Sequence, residues 1–255
     1  MRDHLKSVEE YTSLLERAGT VVNSMGRLIS HDPAAIERFW VWFGKSKVVR
    51  GGIPLVVFHG TKSDFTQFDP EKSNSNAATG IPKGAFFFSD APEVAETYFT
   101  DKDEVTRFAT PALADEFHNL IKNGSFEDQM NFLYDNPKVT EPGYAEGGNI
   151  KPVYLRIIKP LRVDAKGYHW NDIYFQPKDY RAPEEFTTNE IAAYAMANGY
   201  DGMIVKNVKD SHKGVKNAST IYAVFSPAQI KSAIANVSFN PASHDIREDE
   251  DTSGG

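Results

Sequence analysis

The chain of 255 residues contains no cysteine. This absence excludes disulfide bridges, zinc sites built from thiolates and a cysteine nucleophile, and it fits a protein of a reducing compartment. No apolar run approaches the ~18 residues that cross a bilayer, and Met1 leads into a charged segment without an apolar signal region. We therefore expect a cytoplasmic protein with no membrane partner, while delivery to a target cell without a cleaved signal stays open.

Basic residues are in the minority, with 28 Lys and Arg against 35 Asp and Glu and a formal net charge of −7. Such a chain lacks the general attraction for phosphate backbones that most nucleic-acid binders have, which mildly favours a protein as its macromolecular partner. The remaining composition, 40% hydrophobic and 25% charged, is that of an ordinary globular protein. The length suits one large domain with some additions.

Residues 1–50 predict a helical N-terminal extension. One helix is expected around residues 8–18, and a second begins at Ser30–Pro33, where Ser or Asp can cap and proline suits the first turn, and stops at Gly44. The apolar stripe of the second helix is expected to dock on the main domain; the alternative is a face that binds a partner.

Residues 51–240 predict the main domain, with a helical insertion near 101–148, and 241–255 predict an acidic, disordered tail. Because strands alternate irregularly with helices and loops, the pattern favours an α+β fold over a doubly wound parallel sheet. The expected strands are 55–58, 84–88, 153–163 (broken by Pro160), 203–206 and 220–225, and the expected helices are 90–100, 113–121, 126–133 and 188–198.

A short apolar run leads into Phe58-His59-Gly60-Thr61. At the end of a strand, a histidine beside a glycine can offer an imidazole and a bare main chain to one small ligand. Phe87 and Tyr98, on the next strand and the helix after it, can hold a flat ring between them. This arrangement suits the nicotinamide half of NAD. The structural alternatives are a histidine bonded to a loop carbonyl and an aromatic core cluster.

Several motifs, in this order, resemble the histidine–tyrosine branch of the ADP-ribosyltransferase superfamily, which includes diphtheria toxin and the poly(ADP-ribose) polymerases. The closer similarity is to the transferase domains of phage and mobile-element polyvalent proteins and related bacterial toxins. The motifs are residues 42–48, 54–61 and 64–69, Gly84 to Asp90 with Ala95 and Tyr98, residues 199–207, and residues 222–233.

The resemblance implies a split β-sandwich of two small, roughly orthogonal sheets that hold NAD in a cleft. It implies that His59, Gly60 and Thr61 contact the nicotinamide and its ribose, that Phe87 and Tyr98 flank the nicotinamide, and that Ser89 belongs to the same binding site. Phe87 stands where the family more often has tyrosine. NAD is a co-substrate in this chemistry, and no metal is expected.

The third motif of the family departs from its pattern here. Ile221 occupies the position at which the polymerases and diphtheria toxin carry a catalytic glutamate, and no carboxylate lies nearer in sequence than Asp210. This departure argues against chain elongation and leaves transfer of a single ADP-ribose open. Thr220 and Gln229 are two polar candidates for the missing catalytic role, and the acceptor could instead supply its own general base.

The function that these motifs imply is that of a mono-ADP-ribosyltransferase. It would cleave NAD at the nicotinamide–ribose bond and transfer ADP-ribose to a protein or to an RNA or DNA base. By family resemblance we expect a bacterial or phage toxin or effector, with roles in toxin–antitoxin or antiviral conflict and an antitoxin or inhibitor protein as partner. The alternatives are an NAD glycohydrolase toxin and a catalytically inactive module that binds NAD or a partner.

Overall fold

Seven strands form the central sheet of the protein. A computed structural model describes residues 20–73, 83–98, 100–107, 110–125, 128, 131–132, 135–136, 139–144, 148–210 and 217–247. The sheet strands are β3 (Val57–Thr61), β4 (Phe86–Ser89), β7 (Asn149–Leu155), β8 (Pro160–Asp164), β11 (Gly202–Val208), β12 (Ser219–Val224) and β13 (Ile230–Ser232). Their order is β13-β7-β3-β4-β12-β11-β8, antiparallel throughout except for the parallel pair β8–β11.

The shorter elements surround this sheet. Three two-stranded sheets pair β1 (Val49–Arg50) with β2 (Ile53–Pro54), β5 (Thr100–Arg107) with β6 (Val139–Tyr144), and β9 (Ile173–Phe175) with β10 (Glu184–Phe186). The α-helices described in full are α1 (Pro33–Phe43), α2 (Pro92–Glu96), α3 (Pro111–Asn123) and α4 (Thr188–Ala197), and a 3-10 turn covers Pro227–Gln229. This mixture of elements confirms the α+β class.

The central sheet is joined at its middle by one residue pair. β3 and β4 pair only at Phe58 and Ser89, whereas β3 pairs with β7 at five positions and β4 with β12 at four. The sheet therefore consists of two halves, β13-β7-β3 and β4-β12-β11-β8, with a narrow junction between them. His59 and Gly60 follow the joining residue directly, so the sequence places them where the two strands separate.

Each half of the sheet has its own helix. α1 packs on the first half, where its buried residues Phe39 and Phe43 lie in one cluster with Tyr154 and Phe239. α4 packs on the second half, where Ile191 and the alanines of the helix meet the strands β11 and β12. A third cluster, on the opposite face of the sheet, spans both halves and includes Val57, Val153, Phe88 and Tyr222.

Both helices end as their sequences predict. The Asp32 side chain accepts hydrogen bonds from the first-turn amides of α1, and Gly44 caps its C-terminus with φ 53°. In α4, Thr187 and Glu190 form a capping box. The apolar stripe of α1 is packed in the core and is not a free face. The helix expected at 8–18 lies outside the described residues.

Several boundaries differ from the prediction. His59 lies inside β3 and not after the end of a strand, and α2 is only five residues long because the chain turns into β5 at Thr100. The long strand expected at 153–163 is two strands, β7 and β8: β7 lies second from one edge of the central sheet, and β8 is the strand at the other edge. Pro160 starts β8, where it pairs with Gly202 at the sheet edge.

The insertion and the tail also need correction. The segment near 101–148 contains a helix, α3, as predicted, but it also contains the hairpin β5–β6, which the sequence reading missed. The helix expected at 126–133 falls mostly outside the described residues. In the predicted disordered tail, Ile246 is buried in the core and Arg247 pairs with Asp64 at 2.7 Å, so the packed structure extends to residue 247.

Candidate active site at the sheet junction

The ring of His59 bonds to the neighbouring strand where β3 and β4 separate. Its Nδ1 lies 2.9 Å from the carbonyl oxygen of Phe87. Because a carbonyl oxygen can only accept, Nδ1 carries the proton and donates. Burial lowers the pKa of His59 to about 4; the bond to Phe87 raises this pKa and the Lys151 ammonium lowers it. The ring is therefore neutral at pH 7, and its Nε2 offers a lone pair to a hydroxyl group.

Aromatic rings fix the orientation of this imidazole. The centroid of the His59 ring lies 5.0 Å from that of Phe68, 5.4 Å from Phe88 and 6.3 Å from Phe65. The carbonyl that accepts from His59 belongs to the strand β4. The structural alternative had predicted a loop carbonyl in this place. A histidine held by a main-chain bond and by packed rings keeps one tautomer and one direction, which a binding group needs.

Lys151 lies directly opposite His59 in the β3–β7 ladder and is 4% exposed. Its ammonium bonds to Asp64 at 2.7 Å and lies 4.6 Å from the centre of the Phe65 ring. Arg247 contacts the same carboxylate oxygen, and the bonds from Lys151 and Arg247 lower the pKa of Asp64. This ion pair ties the chain after β3 to residue 247 at the edge of the site.

Gly60 brings β3 against the end of α2. A Cβ atom at this position would lie 1.7 Å from the carbonyl oxygen of Ala95 and 3.2 Å from the Cβ of Tyr98. Only glycine allows this approach. The main chain of His59-Gly60 therefore lies beside Tyr98, as the sequence predicts for a nicotinamide site.

Tyr98 presents an open ring and an anchored hydroxyl group. The residue is 45% exposed, and its hydroxyl lies 3.1 and 3.0 Å from the two carboxylate oxygens of Asp210, to which it donates. Burial, and then the charge and hydrogen bond of Asp210, raise the pKa of Tyr98 well above its usual value. Burial also raises the pKa of Asp210, against the opposing effects of the Tyr98 bond and of His169.

Phe87, Ser89 and Thr61 line the junction in different ways. Phe87 is half-buried against the cluster under α4, and its carbonyl accepts from His59. The buried Ser89 hydroxyl accepts from the Ala91 amide at the start of α2. Thr61 closes a local turn with Ser63 at the end of β3. The structure thus joins His59 to Phe87 and Gly60 to Tyr98, while Ser89 and Thr61 hold the adjacent turns.

Thr220 is held by Asp90. The Thr220 amide donates to the Asp90 carboxylate at 2.8 Å, the Thr220 carbonyl accepts from the Asp90 amide at 3.1 Å, and Arg50 pairs with the same carboxylate at 3.2 Å. Ala91, and not Asp90, is the N-cap of α2. The Thr220 side chain bonds to Tyr222, which lies on the face opposite to Phe87.

Gln229 lies far from the junction, with its amide fully used. Its oxygen accepts from the Phe225 and Ser226 amides, and its nitrogen donates to the carbonyls of Arg156 and Asp201 at 2.8 and 2.7 Å. Arg156 follows β7 five residues beyond Lys151, so at 3.3 Å per residue Gln229 is about 17 Å from the level of His59. The side chain joins three chain segments.

Asp201 is also a structural residue. Its two carboxylate oxygens accept from the Ile158 and Lys159 amides, each at 2.7 Å, and so fix the chain before β8.

β12 presents Ile221 and Ser219 to the side of the sheet on which Phe87 lies. Ile221 is 2% exposed and packs in the cluster that also holds Phe87. Because side chains alternate along a strand, Ser219 points to the same side. In the described part of the chain, the Ser219 hydroxyl is the single buried side-chain polar atom that lacks a hydrogen-bond partner. Neither this orphaned group nor the Tyr98–Asp210 bond was predicted.

Two general findings concern the described ranges only. No three His, Asp or Glu side chains within them cluster in a way that could hold a metal ion. None of the helices in those ranges is both long and apolar enough to span a bilayer.

Comparison with known families identifies the family of the chain. A family model described as ADP-ribosyltransferase in polyvalent proteins matches residues 50–108 and 109–239, which is most of the chain. The match confirms the relation that the motifs predict. No curated protein and no solved structure matches the chain.

Proposed function

Because the chain belongs to the family of ADP-ribosyltransferases in polyvalent proteins, whose substrate is NAD, we propose that it is a mono-ADP-ribosyltransferase. NAD would bind at the junction of β3, β4 and α2 and be cleaved between nicotinamide and ribose. The observation that carries this proposal is the contact of Gly60 with the end of α2, which places the main chain of β3, one residue after the neutral imidazole of His59, beside the half-exposed Tyr98 ring.

The residues at the junction fit such a substrate. The half-exposed ring of Tyr98 offers a flat surface for the nicotinamide, and Phe87 of β4 is half-buried. The fixed Nε2 of His59 can accept from a ribose hydroxyl, because Nδ1 is committed to Phe87. Gly60 has no side chain, which brings the main chain of β3 close to Tyr98 and lets a planar carboxamide approach it. We also propose that the two halves of the central sheet are the two sheets of the family's split sandwich.

Cleavage of this bond builds positive charge on the ribose and releases neutral nicotinamide. The chain promotes it by fixing the substrate and by placing negative or accepting groups near the ribose. We assign binding of the ribose to His59 and stacking to Phe87 and Tyr98. Thr220 and Gln229, the two sequence candidates for catalysis, are assigned structural roles. The Thr220 side chain bonds to Tyr222 on the face opposite to Phe87, and four main-chain partners bind the Gln229 amide.

The direct test uses the purified protein, NAD labelled in its adenylate part and a bacterial cell extract. We expect release of nicotinamide together with label on macromolecules, and treatment with nuclease or protease identifies the class of acceptor. Tyr98→Ala is expected to lose activity by ~100-fold or more, since it removes the stacking ring. Tyr180→Ala is the matched control, because Tyr180 is comparably exposed at 41% and lies outside the junction.

Three outcomes distinguish the candidate functions. Label on a macromolecule supports transfer. Nicotinamide release without labelled acceptor indicates an NAD glycohydrolase. If the native protein neither binds nor consumes NAD, the enzyme proposal is wrong and the chain is a binding module.

We further propose that the activity is toxic in a bacterial cell and that a specific inhibitor protein accompanies it. Induced expression of the native chain should stop growth, and His59→Ala should not. Growth unaffected by active native protein would contradict a toxin role while leaving the enzymatic activity intact.

A further inference from the structure

Asp210 differs in its partners from the other carboxylates discussed above. Asp64 is paired with two cations, Asp90 with Arg50 and the Thr220 amide, and Asp201 with two main-chain amides. Within the described residues, Asp210 accepts hydrogen bonds only from the Tyr98 hydroxyl. Asp210 is half-buried, and a phenol compensates a carboxylate less well than a cation does. Among the described residues, no cation forms an ion pair with this carboxylate.

The position of Asp210 places this charge at the proposed nicotinamide site. Val208, at the end of β11, pairs with Ser219, and both lie on the side of the sheet that holds Phe87. Asp210 follows Val208 by two residues, and the bridge between Lys209 and His169 keeps the chain extended there. By alternation Asp210 returns to the same side, where it meets Tyr98.

Ser219 is a second, independent indication of a binding site. It is 7% exposed, and its hydroxyl lacks a partner in the described part of the chain. A buried hydroxyl without a hydrogen-bond partner lowers the stability of the fold unless a ligand supplies that partner. It sits on β12 two residues before Ile221, the residue that stands where relatives carry the glutamate.

From this arrangement we propose that Asp210 is the catalytic carboxylate of the transfer reaction, supplied by β11 in place of the absent glutamate of β12, and that Ser219 binds a ribose hydroxyl beside it. This inference rests on the proposed function. In the step, the bond between the ribose anomeric carbon and the nicotinamide nitrogen breaks, and its electron pair stays on nicotinamide. A lone pair of the acceptor forms the new bond to carbon, and the acceptor proton passes to the Asp210 carboxylate.

Within the described residues, Asp210 interacts with Tyr98 from the end of α2 and with His169 from the chain after β8, and Ser219 of β12 pairs with Val208, two residues before Asp210. Tyr98 stays protonated and donates, so it holds the carboxylate in place without removing its charge. An alternative is that Asp210 only positions Tyr98. In that case Asp210→Asn would keep its activity, because the asparagine amide oxygen also accepts a hydrogen bond from a phenol.

The test compares Asp210→Asn, Tyr98→Phe and Ser219→Ala with the native chain in nicotinamide release, NAD affinity and thermal stability. Asp179→Asn is the control, since Asp179 is an exposed carboxylate outside the site. We expect Asp210→Asn to lower kcat by ~100-fold or more, with little change in KM for NAD and no loss of thermal stability. Tyr98→Phe, which keeps the ring and the charge, should lose less. Ser219→Ala should raise KM several-fold without lowering stability.

The outcomes separate this inference from the proposed function. If the native protein and Asp210→Asn release nicotinamide within threefold of each other, Asp210 is not catalytic and the transferase proposal stands. If Asp210→Asn unfolds or loses NAD affinity in proportion to its activity, the residue is structural and the inference is wrong. If the native protein releases no nicotinamide, both proposals fail.

Discussion

At the scale of single residues, His59 makes the stability of the fold depend on pH. Its pKa is about 4 in the folded chain, against an ordinary 6.5. Between these values the unfolded chain binds a proton that the folded chain does not, so the free energy of unfolding falls as the pH is lowered from 6.5 through 4. The full loss is roughly 3 kcal/mol at most, since one pKa unit corresponds to about 1.4 kcal/mol.

Denaturant titrations of the native chain and of His59→Asn at several pH values test this expectation. Asparagine does not titrate, and its amide can still donate to the Phe87 carbonyl. The difference in unfolding free energy between the two proteins should be largest near pH 7 and shrink toward pH 4. A difference that is constant over this range would show that the imidazole is not the group responsible.

At Gly60, even a single added methyl group should destabilise the fold. A Cβ there would lie 1.7 Å from the carbonyl oxygen of Ala95. Gly60→Ala must therefore push α2 away from β3 and move Tyr98, at a cost of about 1–3 kcal/mol or more. We expect loss of NAD turnover and a lower Tm. Because the clash is with a main-chain atom, Ala95→Gly should not rescue it; native activity in Gly60→Ala would contradict the close contact.

Sequence reasoning found His59, Gly60 and Tyr98 because a short motif and its spacing carry them. It did not find the bond between Tyr98 and Asp210, since these residues are 112 positions apart and a hydrogen bond across that distance leaves no local pattern. The lack of a hydrogen-bond partner for the Ser219 hydroxyl could not be predicted either, because the polar groups around it are known only from the packed structure. From its chemistry, the Gln229 amide was a candidate for the catalytic role. Only the structure shows that the amide already forms hydrogen bonds to four main-chain groups.

At the scale of elements, α1 is part of the core although it precedes the matched family domain. Trp42 is 1% exposed, and its indole nitrogen donates to the Ala228 carbonyl at 3.0 Å. Trp42→Ala is expected to lower the free energy of unfolding by about 3–5 kcal/mol, through lost packing and a lost hydrogen bond. Val41, on the same helix and 81% exposed, provides the control. Val41→Ala should change it by less than about 0.5 kcal/mol.

Chemical denaturation measures both variants. Equal effects of the two substitutions would mean that α1 contributes little to the core. The expected large difference would confirm that α1 supports the core around Tyr154 and Phe239, as the predicted docking of its apolar stripe requires.

Elements with strong end signals were predictable, and weakly patterned strands were not. Asp32 with Gly44 and Thr187 with Glu190 mark helices whose limits the structure reproduces. The strands β5 and β6 were missed, because charged or turn-forming residues fill them and no apolar alternation marks them. The run through 153–163 looked like one strand, since the sequence does not reveal that β7 and β8 lie at separate places in the sheet.

At the scale of the whole molecule, the candidate site lies at the narrow junction between the two halves of the central sheet. One residue pair joins the halves of the sheet, and separate clusters under α1 and α4 support them. The residues proposed to bind NAD come from both halves: His59 and Gly60 from the first, Phe87, Ser219 and Asp210 from the second. A ligand bound there should contact both halves and so stabilise the entire fold.

Because NAD would contact both halves, we expect it to raise the melting temperature of the chain. A ligand that binds only the folded state adds about 2.7 kcal/mol when its concentration is 100 times its Kd, which corresponds to a Tm increase of roughly 5–10 °C for a domain of this size. Nicotinamide alone should give a smaller shift, because it cannot reach the His59 and Ser219 positions assigned to ribose. Tyr98→Ala should lose the shift with both ligands, whereas Tyr180→Ala should keep it. If NAD stabilises Tyr98→Ala as strongly as the native chain, the dinucleotide binds somewhere other than the junction of the two halves.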